Sequence, residues 1–211
     1  MKQTRIFRRD ALSDADTVHL AQQLAQGAVG IFPTDTVYGL GTGARCEAAV
    51  AEIYRLKARP EQQPLQLLFA SSARAREAAY FSPQALRLAQ AYWPGALTLI
   101  VPPLPHATAL ARGFAGLGIR VPKDDFLSRL LAAMDGPLAS TSANVHGQPV
   151  WTEEEPVLRA FAGSVDFIVL GGTLSPTASS VVDLMRRPRL LREGQLTRAQ
   201  LEKTLGEPFA V

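Results

Sequence analysis

Helical patterns alternate with short β-branched or aliphatic runs along the whole 211-residue chain, and no internal repeat, heptad array or low-complexity tract interrupts them. That alternation constrains the fold more than any other feature, because strands joined through helices must be covered by those helices, which gives an α/β layer architecture. The length suffices for a substantial core. No glycine-, serine- or proline-rich linker divides the chain, so residues 1–211 are expected to form one domain.

Ser13 and Asp16 suit a capping box for a helix over "DADTVHLAQQLAQ", with Val18, Ala21 and Leu24 on one face and Gly27 at its end. "AVGIFPT" reads as a strand, and "EAAVAEIYRLKA" as a helix with Val50, Ile53 and Tyr54 at helical spacing and Pro60 closing it. "PLQLLFA" is a strand, Ser82–Pro83 a helix start, and "WPG" turns the chain into the strand "ALTLIV". "GLGIRVP" is a strand, "DDFLSRLLAAM" an amphipathic helix, and "PLAS" a short strand that enters the polar loop "TSANVHGQP". Thr152 and Glu155 suit a second capping box. "DFIVLGG", "SSVVDL" and "RLLREG" follow as strands, then a last helix capped by Thr197 and Gln200.

No stretch approaches the roughly 20 apolar residues that cross a bilayer, and the basic N-terminus lacks the apolar core of an export signal. The one cysteine, Cys46, rules out an intrachain disulfide and a multi-cysteine metal site. A soluble, cytoplasmic protein is expected. Of 22 basic residues only four are lysine, and the net charge is +3. Guanidinium suits bidentate pairing with phosphate or carboxylate, although arginine also decorates solvated surfaces.

Within "FPTDTVYGLGTG", the letters "GLGTGA" fit the dinucleotide fingerprint, but "PTDTVY" separates the glycines from the preceding apolar run, so the context is wrong for it. Gly39, Gly41 and Gly43 are expected to permit a bend where chains pack closely. Thr34 and Thr36, two apart, project the same way from an extended segment and make a small polar wall. In "KARP", Lys57 and Arg59 end a helix, where cations complement the helix dipole or await an anion. "STSAN", residues 140 to 144, gathers hydroxyls and an amide that suit either a polar turn or an anion site. His146 lies nearby, yet no G-x-S-x-G elbow supports a hydrolase triad. His19, His106 and His146 lack metal-ligand spacing, so no protein-built metal site is expected.

Taken in order, "FPTDTVYGLGTGA", "IYRLKARPEQQPL", "WPGALTLIV", "GLGIRVP", "STSANVHG", "ASSVVDL" and "LLREG" resemble the YrdC/TsaC family of threonylcarbamoyl-adenylate synthases over nearly the whole chain. The resemblance implies a twisted mixed sheet with surrounding helices and a large basic cavity; pattern alone also admits a doubly wound sheet. It further implies synthesis of threonylcarbamoyl-AMP and pyrophosphate from L-threonine, bicarbonate or CO2, and ATP. The product serves threonylcarbamoyladenosine modification of ANN-decoding tRNAs, so a downstream tRNA threonylcarbamoyltransferase complex is the implied partner, with tRNA contact open. Because the attacking oxygen comes from substrate, such an enzyme needs no cysteine or histidine nucleophile; it holds anions together and offsets phosphoryl charge.

By the same resemblance, Lys57 and Arg59 contact the ATP phosphates and carry catalysis, and Ser142, Asn144 and Arg192 also bind ATP. Thr36, Arg120, Ser140 and Ser179 bind L-threonine, with Thr34 and Tyr38 lining the same wall. Mg2+ is expected to arrive with the nucleotide. Gln63, Leu68 and Lys123–Asp124 depart from the family pattern, and the chain looks like the family's short form. Two alternatives stay open: a non-catalytic double-stranded RNA or tRNA binder using the same basic concavity, and a paralogous carbamoyl-transfer relative.

Overall fold

The computed structural model describes residues 2–60, 62–145, 147–175 and 177–210. Its strands are β1 (Arg5–Arg8), β2 (Gly30–Phe32), β3 (Gly39–Gly43), β4 (Gln66–Leu68), β5 (Leu97–Val101), β6 (Leu117–Arg120), β7 (Leu138–Ser142), β8 (Phe167–Leu170), β9 (Ser180–Asp183) and β10 (Arg189–Arg192). They form one ten-stranded sheet in the order β1-β8-β2-β3-β7-β4-β6-β5-β9-β10. Four pairings are parallel and five antiparallel, so the sheet is mixed. Around it lie α1 (Asp14–Ala25), α2 (Glu47–Lys57), α3 (Ser72–Arg76), α4 (Pro83–Tyr92), α5 (Asp125–Ala132), α6 (Glu154–Phe161) and α7 (Arg198–Leu205). Among the described residues no helix is long and apolar enough to cross a membrane.

Register partners on neighbouring strands share a face, and alternate residues along a strand face opposite ways. One face carries Ile31, Leu40 and Ile168, packed with α2 and α6 through Ile53, Val157 and Phe161. Across the sheet the same face continues through Ala139, Leu67, Ile119, Leu99 and Val182, which are paired in register. There it is covered by α4 and α7 through Leu88, Leu201 and Leu205. The other face is divided. Phe32, Phe167, Val169, Leu138 and Leu68 lie under α1 and α5, against Leu20, Leu24, Leu127 and Leu130. Two residues along β4 and β7 from Leu68 and Leu138, the same face presents Gln66 and Ser140, which pair with each other. The helices stop where the face turns polar.

Local chemistry builds these elements largely as the sequence reads. Ser13 and Asp16 close the capping box of α1, Thr197 and Gln200 that of α7, and Ser82 with Pro83 starts α4. Asp124 caps α5 through the Leu127 amide at 2.9 Å and pairs with Arg9 at 3.2 Å, which gives this departure from the family pattern a structural role.

Five expectations change. Val18 is 43% exposed, and the buried stripe of α1 is Thr17, Leu20, Ala21 and Leu24, the true i, i+3, i+4, i+7 set. Thr152 and Glu155 form no capping box: α6 starts one residue later, with Glu153 at the cap, and the Thr152 carbonyl accepts the Leu174 amide at 2.9 Å. The strand β1 and the short helix α3 are additional elements. Thr141 and Ser142 lie within β7 rather than in a loop.

The fifth change concerns Gly39, Gly41 and Gly43, which form a fully buried strand and no bend. A Cβ at Gly41 would stand 2.7 Å from the Ala139 carbonyl oxygen and 3.0 Å from the Phe32 ring, so the missing side chain lets the ring lie flat over β3. Gly41→Ala is therefore expected to destabilise the fold by about 2 kcal/mol in urea unfolding. Gly118→Ala, whose Cβ meets nothing nearer than 3.7 Å, should change stability by less than about 1 kcal/mol.

Candidate functional site

A cavity of about 280 Å3 occupies the uncovered polar half of the sheet face. Its floor is the period-two set Ser142, Ser140, Gln66, Gly118 and Thr98 from β7, β4, β6 and β5, and its walls include Arg59, Arg120 and Arg192. Among the described residues its lining has three guanidiniums and no carboxylate. A small recess opens beside it, bordered by Thr34, Thr36, Tyr38, Leu68, Arg120 and Ser140 among others. Arg120 borders both spaces; Arg59 and Arg192 border only the cavity.

Arg120 ends β6 and is 2% exposed. Burying a cation in this way requires partners, and three surround it. Its Nη2 donates to Asp35 Oδ1 at 2.5 Å, Nη1 to Thr36 Oγ1 at 3.0 Å, and Nε to the Gly95 carbonyl at 3.0 Å. Of five guanidinium N–H groups, two have no partner among the described residues. Thr34 supports the arrangement from behind: its hydroxyl lies 2.9 Å from Thr36 Oγ1 and donates to the Val37 carbonyl at 2.7 Å. Ser140, on the same face, is 1% exposed and its hydroxyl has no hydrogen-bond partner among the described residues. An unpartnered buried hydroxyl at a cavity floor is a ready contact for a polar ligand.

On the opposite wall Arg192 Nε donates to the Ser179 carbonyl at 2.9 Å and Nη2 to Ser179 Oγ at 3.1 Å. The chain after Arg192 presses so close to this segment that a Cβ on Gly194 would sit 2.3 Å from the Ala178 carbonyl oxygen, which only glycine permits. Arg59 leans on the Gln63 and Pro64 carbonyls, at 3.1 and 3.2 Å. Burial, then the charges of Arg120 and Arg59, hold the Arg192 guanidinium below its usual range, and burial does the same to Arg59. Asp35 balances Arg120, whereas Arg59 and Arg192 have no carboxylate partner among the described residues, so the cavity carries net positive charge and favours anionic ligands.

Lys57 and Asn144 stand behind this wall and do not border the cavity. The Lys57 ammonium, 2% exposed, donates to the Ser142 carbonyl, to the Asn144 carbonyl at 2.7 Å and to Asn144 Oδ1 at 2.9 Å. Asn144 Oδ1 also accepts from Ser142 Oγ at 2.6 Å, and its Nδ2 donates to the Gln148 carbonyl at 2.6 Å. The lysine of "KARP" and the asparagine of "STSAN" therefore bind each other, and together they fix the turn that follows β7. Burial, with Arg59 nearby, draws the ammonium down from 10.5 to about 8. Tyr38 is likewise internal: its hydroxyl donates to the Gly172 carbonyl at 2.7 Å and accepts from the Gly171 amide at 2.9 Å. Of the residues that depart from the family pattern, Gln63 offers Arg59 its main-chain carbonyl, and Leu68 is buried in the apolar cluster that adjoins the recess. His146 lies outside the described residues.

The structure thus gathers Thr36, Arg59, Arg120, Ser140, Ser142, Ser179 and Arg192 on one cavity, with Thr34, Tyr38, Lys57 and Asn144 behind them. It adds Asp35, Gln66 and Thr98. The last two carried a legible signal, a polar residue inside the otherwise apolar strands "PLQLLFA" and "ALTLIV". Asp35 carried none, because an acidic residue in a turn is ordinary. A second cavity of about 360 Å3 is larger, but its floor is apolar. At its rim Arg74 pairs with Glu77 at 3.0 Å and Arg45 with Asp135 at 3.8 Å, so no net charge draws an anion there.

Comparison with known proteins places the chain in a family. The Sua5_yciO_yrdC family model, described as "Telomere recombination", matches residues 22–194. The Threonylcarbamoyl-AMP synthase of Pyrococcus abyssi is 36% identical over 191 residues, 87% of this chain and 55% of that protein. The Bacillus subtilis protein of the same name is 35% identical over 201 residues, 92% of this chain and 58% of that one. The chain therefore spans a little over half the length of these relatives. Among solved structures, P. abyssi Sua5 complexed with L-threonine superposes with a TM-score of 0.88 at 32% identity, covering 98% of this chain and 62% of that one. Escherichia coli YciO gives a TM-score of 0.83 at 25% identity, covering 92% of this chain and 97% of that one. With its family model spanning most of the chain and its sheet superposing on those structures, the chain belongs to the Sua5/YciO/YrdC family.

Proposed function

We propose that this chain joins L-threonine, bicarbonate or CO2, and ATP into threonylcarbamoyl-AMP, with release of pyrophosphate. The observation that carries this reading is the set of three guanidiniums around one cavity whose lining has no carboxylate, divided between the recess and the cavity proper. The names of the Pyrococcus and Bacillus relatives, and the L-threonine complex of P. abyssi Sua5, support it. As part of the same reading, residues 1–211 act as one domain in the cytoplasm. The product passes to a tRNA threonylcarbamoyltransferase complex.

On this reading the threonine carboxylate takes the two unpartnered N–H groups of Arg120, which Asp35, Thr36 and Gly95 hold in place. Ser140 and Thr36 offer hydroxyls in the recess, Thr34 and Tyr38 fix its wall, and Ser179 orients Arg192. The amine of threonine and bicarbonate give a carbamate and water. A carbamate oxygen then forms a bond to the α-phosphorus of ATP as the bond to pyrophosphate breaks. Arg59 and Arg192 stabilise the charge on the phosphoryl oxygens, where a positioned guanidinium is most effective. Ser142 and Asn144 frame the nucleotide, and Lys57 acts on it through their turn. Because Asp35 is engaged by Arg120, Mg2+ would be held by the nucleotide's own phosphates.

Purified protein with ATP, Mg2+, L-threonine and bicarbonate is expected to release pyrophosphate, and omission of threonine to abolish the signal. Equal release without threonine would overturn the reading. Arg59→Ala should lower kcat/KM for ATP by a factor equivalent to about 2 kcal/mol, as loss of a charge-assisted phosphate contact does.

Lys57 makes a separate expectation about stability. Its native value lies near 8 and its unfolded value at 10.5, so between those limits the unfolded chain binds a proton that the native chain does not. Wild-type stability should therefore rise with pH through that window relative to Lys57→Met, with no such difference in slope below about 8. Urea unfolding of both proteins across the window measures it, and parallel pH profiles would contradict the depressed ammonium.

A further inference from the structure

We infer that Gln66 is a substrate-positioning residue whose carboxamide N–H groups hold the carbamate between the threonine site and the phosphate site, an inference that rests on the function proposed above. Gln66 interrupts the apolar strand β4 on the cavity face. It borders both the cavity and the recess, so it stands at their junction. Its register partner on β7 is Ser140. On β6 the ladder through Leu67–Ile119 and Leu68–Arg120 places Gly118 beside it. Gly118 and Gln66 line the same cavity, and Gly118 brings no side chain into it.

A chain of hydrogen bonds fixes which way that amide points. Arg192 Nη2 lies 3.1 Å from Ser179 Oγ, Ser179 Oγ lies 3.0 Å from Thr98 Oγ1, and Thr98 Oγ1 lies 3.1 Å from Gln66 Oε1. A guanidinium only donates. Ser179 therefore accepts from Arg192 and passes its own hydrogen to Thr98, and Thr98 passes its hydrogen to Gln66 Oε1. With the amide reversed, Gln66 would donate to Thr98, Thr98 would donate to Ser179, and the hydroxyl hydrogen of Ser179, a residue 2% exposed, would face no acceptor. Leaving a buried donor unsatisfied costs more than the bond gained. The Gln66 oxygen is thus held by the relay, and its two N–H groups, which have no partner among the described residues, are left available to the cavity that Gln66 lines.

The group that belongs there is planar, carries acceptor oxygens, and links the amino acid to the phosphorus. In the proposed reaction that group is the carbamate. A neutral donor suits it better than a fourth cation, because an adjacent cation would stabilise the carbamate charge before attack and blunt its oxygen, whereas an amide orients it at little cost to reactivity. The bond changes are those given above, the carbamate oxygen joining the α-phosphorus as pyrophosphate leaves, and Gln66 gives up no proton in them.

The test compares wild type, Gln66→Leu and Gln66→Glu in threonine-dependent pyrophosphate release at varied bicarbonate, with threonine binding measured by calorimetry in the absence of bicarbonate and ATP. The glutamate keeps an acceptor for Thr98 and removes both donors, so it decides the question if the leucine variant does not show the wild-type thermal transition. In both variants kcat/KM for bicarbonate should fall by about tenfold or more, the loss of one directed hydrogen bond to a charged group, while the threonine Kd stays within about twofold of wild type. Unchanged bicarbonate dependence in the variants, or a threonine Kd that weakens in parallel, overturns the role of Gln66 and leaves the synthase reading standing. A wild-type protein that releases no threonine-dependent pyrophosphate overturns that reading and this inference with it.

Discussion

Side chains on a pleated strand alternate between faces, and everything distinctive about this molecule follows from how the two faces of one sheet are filled. One face is mostly apolar and is roofed by α2, α6, α4 and α7. The other is apolar only where α1 and α5 lie on it. The change happens within single strands: Leu68 is core and Gln66 is cavity floor, Leu138 is core and Ser140 is cavity floor. No helix can cover the polar half without burying unpaired groups, so that half is left as a concavity.

Charges in the concavity and behind its wall are tolerated because each is tied to something. Arg120 is anchored by Asp35, Thr36 and a main-chain carbonyl, which orients two free N–H groups before any ligand arrives. Lys57 is anchored by the turn after β7 and in return defines that turn's shape. Such anchoring lowers the reorganisation that binding and transition-state stabilisation would otherwise require. The cations themselves end regular elements, Arg120 the strand β6 and Lys57 the helix α2, and their anchors are loop groups that these contacts tie to the core. Among the described residues Arg59 and Arg192 are held by carbonyls and one hydroxyl, and no carboxylate offsets their positive charge.

Local elements were legible because their causes are local. Ser13 with Asp16, Thr197 with Gln200 and Ser82 with Pro83 each complete a helix start within four residues, so the chain states them directly. Thr152 with Glu155 has the same spacing and fails, because the Thr152 carbonyl is engaged by Leu174 and the helix begins one residue later. The glycines of β3 misled for a related reason. Spacing shows that glycine is needed, but the cause, the Phe32 ring lying over Gly39 and Gly41, comes from another strand.

The sequence by itself determined the alternation of elements, the helix caps, the residues able to bind anions and the family to which those motifs point. Tertiary structure alone decided that Lys57 and Asn144, 87 residues apart, bind each other, and that Asp35 holds Arg120, 85 residues away. It also decided that Gln66, Thr98 and Arg192, on three strands, share one hydrogen-bond relay with Ser179, which precedes β9. The physical reason is that hydrogen bonds and ion pairs act over a few ångströms of space whatever the distance along the chain, and only strand order and register bring such residues within that reach.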